Sequence, residues 1–220
     1  MASEFPGSPK LLKGALVVFE TKLPVPTNLI VFQYNPDTMT RRVEPVSLPQ
    51  GRGGGTADTQ HVQIPPLQTF QLSIELDATD GLEEGNALAS AVGVHPALAA
   101  LELLLYPPST ALILNKVLSL AGSSMISPAA TPLVLFVWGP ARVVPVRVTS
   151  VSIVEQAFDQ LLNPIRAKVD LGLRGLTIKE LQEAGTPFDA LALVGHVSKE
   201  VLARMAGVAA VADIGGSISL

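Results

Sequence analysis

Residues 131–177, TPLVLFVWGPARVVPVRVTSVSIVEQAFDQLLNPIRAKVDLGLRGLT, carry the pattern on which the fold turns. The stretch opens with an unbroken apolar run, Leu133 to Trp138, and turns at Gly139-Pro140. It then alternates, with Val144, Val146 and Val148 on one side and Pro145, Arg147 and Thr149 on the other. After a turn at Asp159 to Pro164 the alternation returns. Ile165, Ala167, Val169, Leu171 and Leu173 share one face; Arg166, Lys168, Asp170, Gly172 and Arg174 share the other. Successive side chains of a strand point to opposite faces, so a period of two predicts strands with one dry and one wet face. Three such strands joined by short turns predict an antiparallel sheet whose dry face the remaining chain must cover. Pro145 predicts an edge position or a bulge, because proline has no N–H to give to a ladder.

Outward from this stretch, Gly14 to Thr21 and Asn28 to Gln33 read as strands around a turn at Pro24-Val25-Pro26. Tyr34-Asn35-Pro36-Asp37 is a turn by residue type, and Thr38 to Glu44 resumes as an extended segment. Leu67 to Ala78 alternates most regularly, Phe70, Leu72, Ile74 and Leu76 opposing Thr69, Gln71, Ser73, Glu75 and Asp77. Pro96 to Leu105 predicts a helix, with Pro96 in its first turn and Tyr106-Pro107-Pro108 ending it. Thr110 to Ala121 predicts a second helix, followed by a small-residue linker at Gly122 to Pro132. Beyond Thr177 the period of two is lost, and Ile178 to Ala184 and Phe188 to Ala212 take helical spacing, with Thr186 as a possible cap and Asp213 to Leu220 as a tail. The chain therefore divides into a β domain, residues 1–177, and a helical extension, residues 178–220.

Chemistry is harder to find. Residues 45–66 are rich in Gly, Pro and Gln, but the Gly51 to Gly55 cluster has neither the P-loop spacing nor GxGxxG, so it reads as a long mobile loop, of a length often used to bind partners, and not as a nucleotide site. Asp77, Asp80, Glu83 and Glu84 lack calcium-loop spacing and read as a solvated acidic turn. His61, His95 and His196 form no metal-binding pair, and His95 reads as a cap or turn contact. There is no GxSxG; Ser123-Ser124 sits in a linker, and Glu155 and Asp159 flank a hairpin. With no cysteine, disulfides and thiolate metal sites are excluded. Net charge is −4 and scattered, and aromatics are 5%, so neither phosphate backbones nor bases find a surface. No apolar run reaches the length of a membrane span, and Met1 to Lys13 has no signal-like apolar core. The expectation is a non-enzymatic protein without cofactor or metal, made and assembled in the cytoplasm.

Two segments together carry a resemblance. LKGALVVFE with IVFQYNPDTMTRRV, and PLVLFVWG with VPVRVTSVSIVEQAFDQLLNPIRAKVDLGLR, resemble the tube-like baseplate protein of contractile injection systems, the phage-tail-like particles of bacteria. The first motif falls on Phe32, Tyr34, Asn35, Pro36, Thr38 and Arg41. The second falls on Phe158, Asp159, Leu162, Asn163, Pro164, Ile165, Arg166, Ala167 and Arg174. The resemblance spans Leu12 to Leu176. It implies a tail-tube-like split β-barrel of two packed antiparallel sheets with a flanking helix, six copies forming a ring around a lumen. It also implies partners: a trimeric spike hub, the inner tube and other baseplate proteins, within a particle kept in the cell or released. Many relatives carry a C-terminal LysM-like module; the helical segments after Thr177 depart from that pattern.

On this view Arg147, Arg166, Lys168, Asp170 and Arg174 line the lumen or a subunit contact, or else form an ordinary wet sheet face. The expected role is an adaptor ring that joins spike to tube and initiates tube assembly. A stacked tube subunit is the nearest alternative, and a soluble ligand-binding β-barrel is the alternative of a different class.

Overall fold

The computed structural model describes residues 12–19, 25–45, 65–120, 131–183 and 188–217, with side chains as far as residue 207. The Gly51 to Gly55 cluster, His61, Ser123-Ser124 and Thr186 lie outside the described residues. Strands β1 (Ala15–Phe19), β2 (Asn28–Val31), β3 (Met39–Glu44), β4 (Leu67–Asp77), β5 (Leu133–Val137), β6 (Val143–Phe158) and β7 (Pro164–Gly175) form one seven-stranded sheet. Every pairing is antiparallel, in the order β2-β1-β5-β6-β7-β4-β3. Around it lie α1 (Thr79–Glu83), α2 (Ala87–Val92), α3 (His95–Glu102), α4 (Ser109–Leu120), α5 (Ile178–Glu183) and α6 (Asp189–Ser217). The fold is α+β, organised on the sheet. No described helix is long and apolar enough to cross a membrane.

The expected pair of packed sheets is a single sheet, and its barrel is not closed. The reason is β6. Its first residues pair with β5, and almost its whole length pairs with β7, so one strand joins what would otherwise be separate layers. Between Val148 and Ser150 the β6–β7 register shifts, making Thr149 a bulge. That extra residue resets the alternation, so Val151 and Ile153 return to the dry face that Val146 and Val148 occupy.

Pro145 is therefore neither the bulge nor an edge residue. It lies in β6 opposite Leu135, buried, and its carbonyl accepts the Leu176 amide at 2.9 Å where β7 ends. The missing N–H faces the same side as that carbonyl, past the last β6–β7 rung, so no rung of the ladder is lost.

The sheet rolls over its dry face. Phe70 of β4 and Phe136 of β5 have ring centroids 5.5 Å apart, although β6 and β7 lie between their strands in the ladder. The roll is clasped by a side chain. Just past β2, the Gln33 amide receives the Asp77 N–H and donates to the Asp77 carbonyl, both at 2.8 Å, so it stands in for a strand at the end of β4. Leu16, Ile30, Phe32, Ile74, Leu171 and Leu173 fill the interior, and Leu98 and Leu101 of α3 pack on it.

β1 and β5 are buried on both faces, which is why their sequences are apolar at both parities. On the reverse side Ala15, Phe19 and Leu135 are buried, and Phe188, just before α6, packs against Phe19 at 4.8 Å. Leu181 of α5 is wholly buried. α5 begins with a capping box: Thr177 Oγ1 accepts the Glu180 amide at 3.3 Å, and Glu180 Oε2 accepts the Thr177 amide at 2.9 Å. α6 runs to Ser217, so most of the expected tail is helical. The acidic turn is instead the short helix α1, entered through Asp77, whose Oδ1 accepts the Thr79 amide at 2.8 Å and the Thr79 hydroxyl.

Candidate assembly surface

The wet face of the sheet can be read rung by rung across β4, β7 and β6. One rung is Thr69–Arg174–Arg147, the next Gln71–Gly172–Ser150, then Ser73–Asp170–Ser152, Glu75–Lys168–Val154 and Asp77–Arg166–Gln156. The five residues predicted to share a face do share it, but only some are free. Arg166 donates through Nε and Nη2 to Asp77 Oδ2 at 2.8 and 2.6 Å. Arg174 lies directly opposite Arg147, a like-charge rung that is unfavourable alone. Glu180 relieves it, accepting from Arg174 Nη2 at 2.7 Å. Among the described residues Arg147, Lys168 and Asp170 have no ion pair and stay exposed.

The carboxylates bound to these cations are tuned accordingly. Burial opposes ionisation of Glu180, yet the bonds from Arg174 and from the Thr177 amide and hydroxyl outweigh it and hold its pKa at about 2. Burial likewise opposes ionisation of Asp77, and the bonds from Thr79 and Arg166 carry its pKa below the ordinary value. Between them, on the middle rungs, lies a surface recess of about 400 Å³ lined chiefly by Thr38, Thr40, Gln71, Ser73, Ser150 and Ser152. The Ser73 hydroxyl is buried there without a hydrogen-bond partner among the described residues.

The turn motifs have structural roles. Asn35 Oδ1 accepts the Gly14 amide at 2.8 Å and its Nδ2 donates to the Leu12 carbonyl at 2.8 Å, which pins the start of β1. Gly14 is required there, since a Cβ would lie 2.7 Å from Phe32 and 2.8 Å from Trp138. Pro36 is half-buried and Tyr34 exposed. Arg41 pairs with Phe70, on the side of β3 opposite Thr40 and Arg42, so it does not join the five. Burial, Arg41 and Arg142 together lower the pKa of Lys199 on α6.

At the β6–β7 turn, Asp159 Oδ1 accepts the Leu161 and Asn163 amides at 2.7 and 2.8 Å, and Asn163 Nδ2 donates to Asp159 Oδ2 at 2.8 Å. The Asn163 side chain and amide, acting against burial, lower the Asp159 pKa, with the Leu161 amide adding to them. Asn163 also donates to the Ala91 carbonyl at 3.2 Å, and the Pro164 carbonyl accepts the Val94 amide at 2.9 Å, so the turn is seated on α2 and α3. This rigid turn leaves Leu161 and Leu162 outermost, Leu162 at φ 65°.

Backbone edges complete the surface. The outer sides of β2 and β3 have no strand beside them among the described residues, and beyond Arg147 β6 has one on the β7 side only. Unpaired ladder groups are templates for another strand. Sequence inspection missed Gln33, Asp77 and Glu180 as structural partners; only Glu180 carried a local signal, the T-x-x-E of the capping box. Protein-family models and curated proteins give no match to this chain.

Proposed function

We propose that the chain is a structural component of a contractile injection system, a hexameric ring adaptor that joins the trimeric spike hub to the inner tube and initiates tube assembly. The observation that carries this is the combination of a rolled, incompletely closed antiparallel sheet with backbone along β2, β3 and half of β6 that is unpaired among the described residues. Pairing those edges between copies would satisfy the ladder groups and continue the roll as a split barrel around a lumen. The resemblance supplies the identity of the assembly, and its motif residues hold the two turns that shape the sheet. Its partners are then the spike hub, the tube subunit and neighbouring baseplate proteins, in a phage-tail-like particle built in the cytoplasm. The interior is filled by Phe70, Phe136, Ile74 and Leu171, which favours a scaffold over a ligand-holding barrel.

The test is native-particle mass spectrometry with cross-linking. One ring of copies per particle, cross-linked to a spike-hub protein and to a tube protein, is the expected result. Copies in the hundreds would make the chain a stacked tube subunit. A free monomer with no particle would overturn both.

A further inference from the structure

α4 buries none of its side chains. Ile113, Val117 and Leu120 fall on one helical stripe, at i, i+4 and i+7, and are 63%, 55% and 81% exposed. Only Ala111, Asn115 and Leu118, on the opposite stripe, are half-buried, and a helix this short is marginal in water on so little packing. Beside its root is an open recess of about 350 Å³, walled by Leu105 and Tyr106 after α3 and by Val151 and Ile153 of β6. Among the described residues Glu102 is the one charged residue lining it. Lys116 is the one charged residue of α4, next to Val117 on the stripe. Neither makes an ion pair among the described residues.

We infer that α4 is a docking helix that seats in this recess on a second copy of the chain, with Lys116 facing Glu102. Apolar anchors at helical spacing match the Leu105, Tyr106, Val151 and Ile153 side chains of the recess, and the single charges on each side are opposite. A second copy is the occupant because helix and recess belong to one chain, yet among the described residues none of α4 lines its own recess. α4 starts directly after Tyr106-Pro107-Pro108, and the two prolines fix φ at the joint and keep the residues before them out of helical backbone. Each copy thus offers a helix and a groove, a head-to-tail contact that repeats from copy to copy. The contact uses side chains rather than sheet edges and does not rest on the adaptor role.

The chain has no cysteine, so single cysteines report it cleanly. Full-length Val117→Cys and Ile153→Cys proteins are mixed and oxidised. The expected result is a disulfide-linked pair of chains, about tenfold above either variant alone, because docking raises the effective concentration of the two thiols. Glu102→Lys or Lys116→Glu should lower the yield, and Glu102→Lys on one partner with Lys116→Glu on the other should restore it. Equal cross-linking by an exposed control, Lys179→Cys, or none at all, overturns the inference. So does an intramolecular disulfide in the Val117→Cys/Ile153→Cys double variant without linked pairs, which would seat α4 in its own recess. Particle copy number is indifferent to this disulfide, so either proposal can fail without the other.

Discussion

Replacing Gly93 with alanine tests how the β6–β7 turn is seated on the helices. Gly93 closes α2 at φ 56° and ψ −134°, a region close to glycine-only. An added Cβ would run into the Pro164 carbonyl oxygen, with the carbonyl carbon at 3.1 Å. That oxygen accepts the Val94 amide at 2.9 Å, so relieving the clash loosens the seat. Backbone strain costs about 1–3 kcal/mol and the strained hydrogen bond about 0.5–1.5 kcal/mol, together about 1.5–4.5 kcal/mol. For a chain of this size each kcal/mol moves Tm by about 2–4 °C, so a fall of roughly 5–15 °C is expected. Gly139→Ala is the control. Its φ of 77° is also unfavourable for alanine, but nothing lies within 4 Å of the added Cβ. Calorimetry and urea titration on both variants separate strain from contact. If Gly93→Ala is no less stable than Gly139→Ala, the turn does not depend on its seat against Pro164.

Three further outcomes follow from the described contacts. Asn35→Ala should cost about 1–2 kcal/mol and speed hydrogen exchange at the Gly14 amide; unchanged exchange there would mean that Asn35 does not hold β1. Glu180 has a folded-state pKa of about 2 against an ordinary 4.5, so its contribution is present above about 4.5 and is lost as pH falls toward 2. Glu180→Gln should flatten the stability profile within that window, as read by denaturant midpoints at successive pH values. Arg166→Leu should raise the Asp77 pKa in a carboxyl NMR titration, whereas Lys168→Leu leaves it unchanged; the same response from both variants would refute the Arg166–Asp77 pairing.

Where one face is wet, the strands were legible. Residues 67–77 and 164–175 alternate because burial on one side alone imposes a period of two. Even the bulge left a mark, since Val148 and Val151 are three apart where a regular strand demands two or four. β1 and β5 gave no such signal about their neighbours, being apolar at both parities, so their place in the strand order could not be read. Nor could the roll, which depends on Gln33 meeting Asp77 across 44 residues of sequence. Asp77 looked like one charge in an acidic turn because its cation, Arg166, lies 89 residues away. The five-residue wet face was visible from alternation; which members are neutralised was not, because pairing is set by register and by a helix from the extension. The LNP of the turn motif was recognisable as a turn, but its grip on Ala91 and Val94 is tertiary.

The Gln33 clasp gives the rolled sheet the mechanics of a split collar. Ladder rungs share a load, and parting two strands means parting many bonds together. Here, among the described residues, the hydrogen bonds across the seam between the end of β2 and the end of β4 come from one amide on a rotatable stem, at a net strength of about 1–3 kcal/mol. The collar is therefore expected to open at that slit before any strand leaves its neighbour. Across the roll Phe70 and Phe136 add apolar contact, their ring centroids 5.5 Å apart.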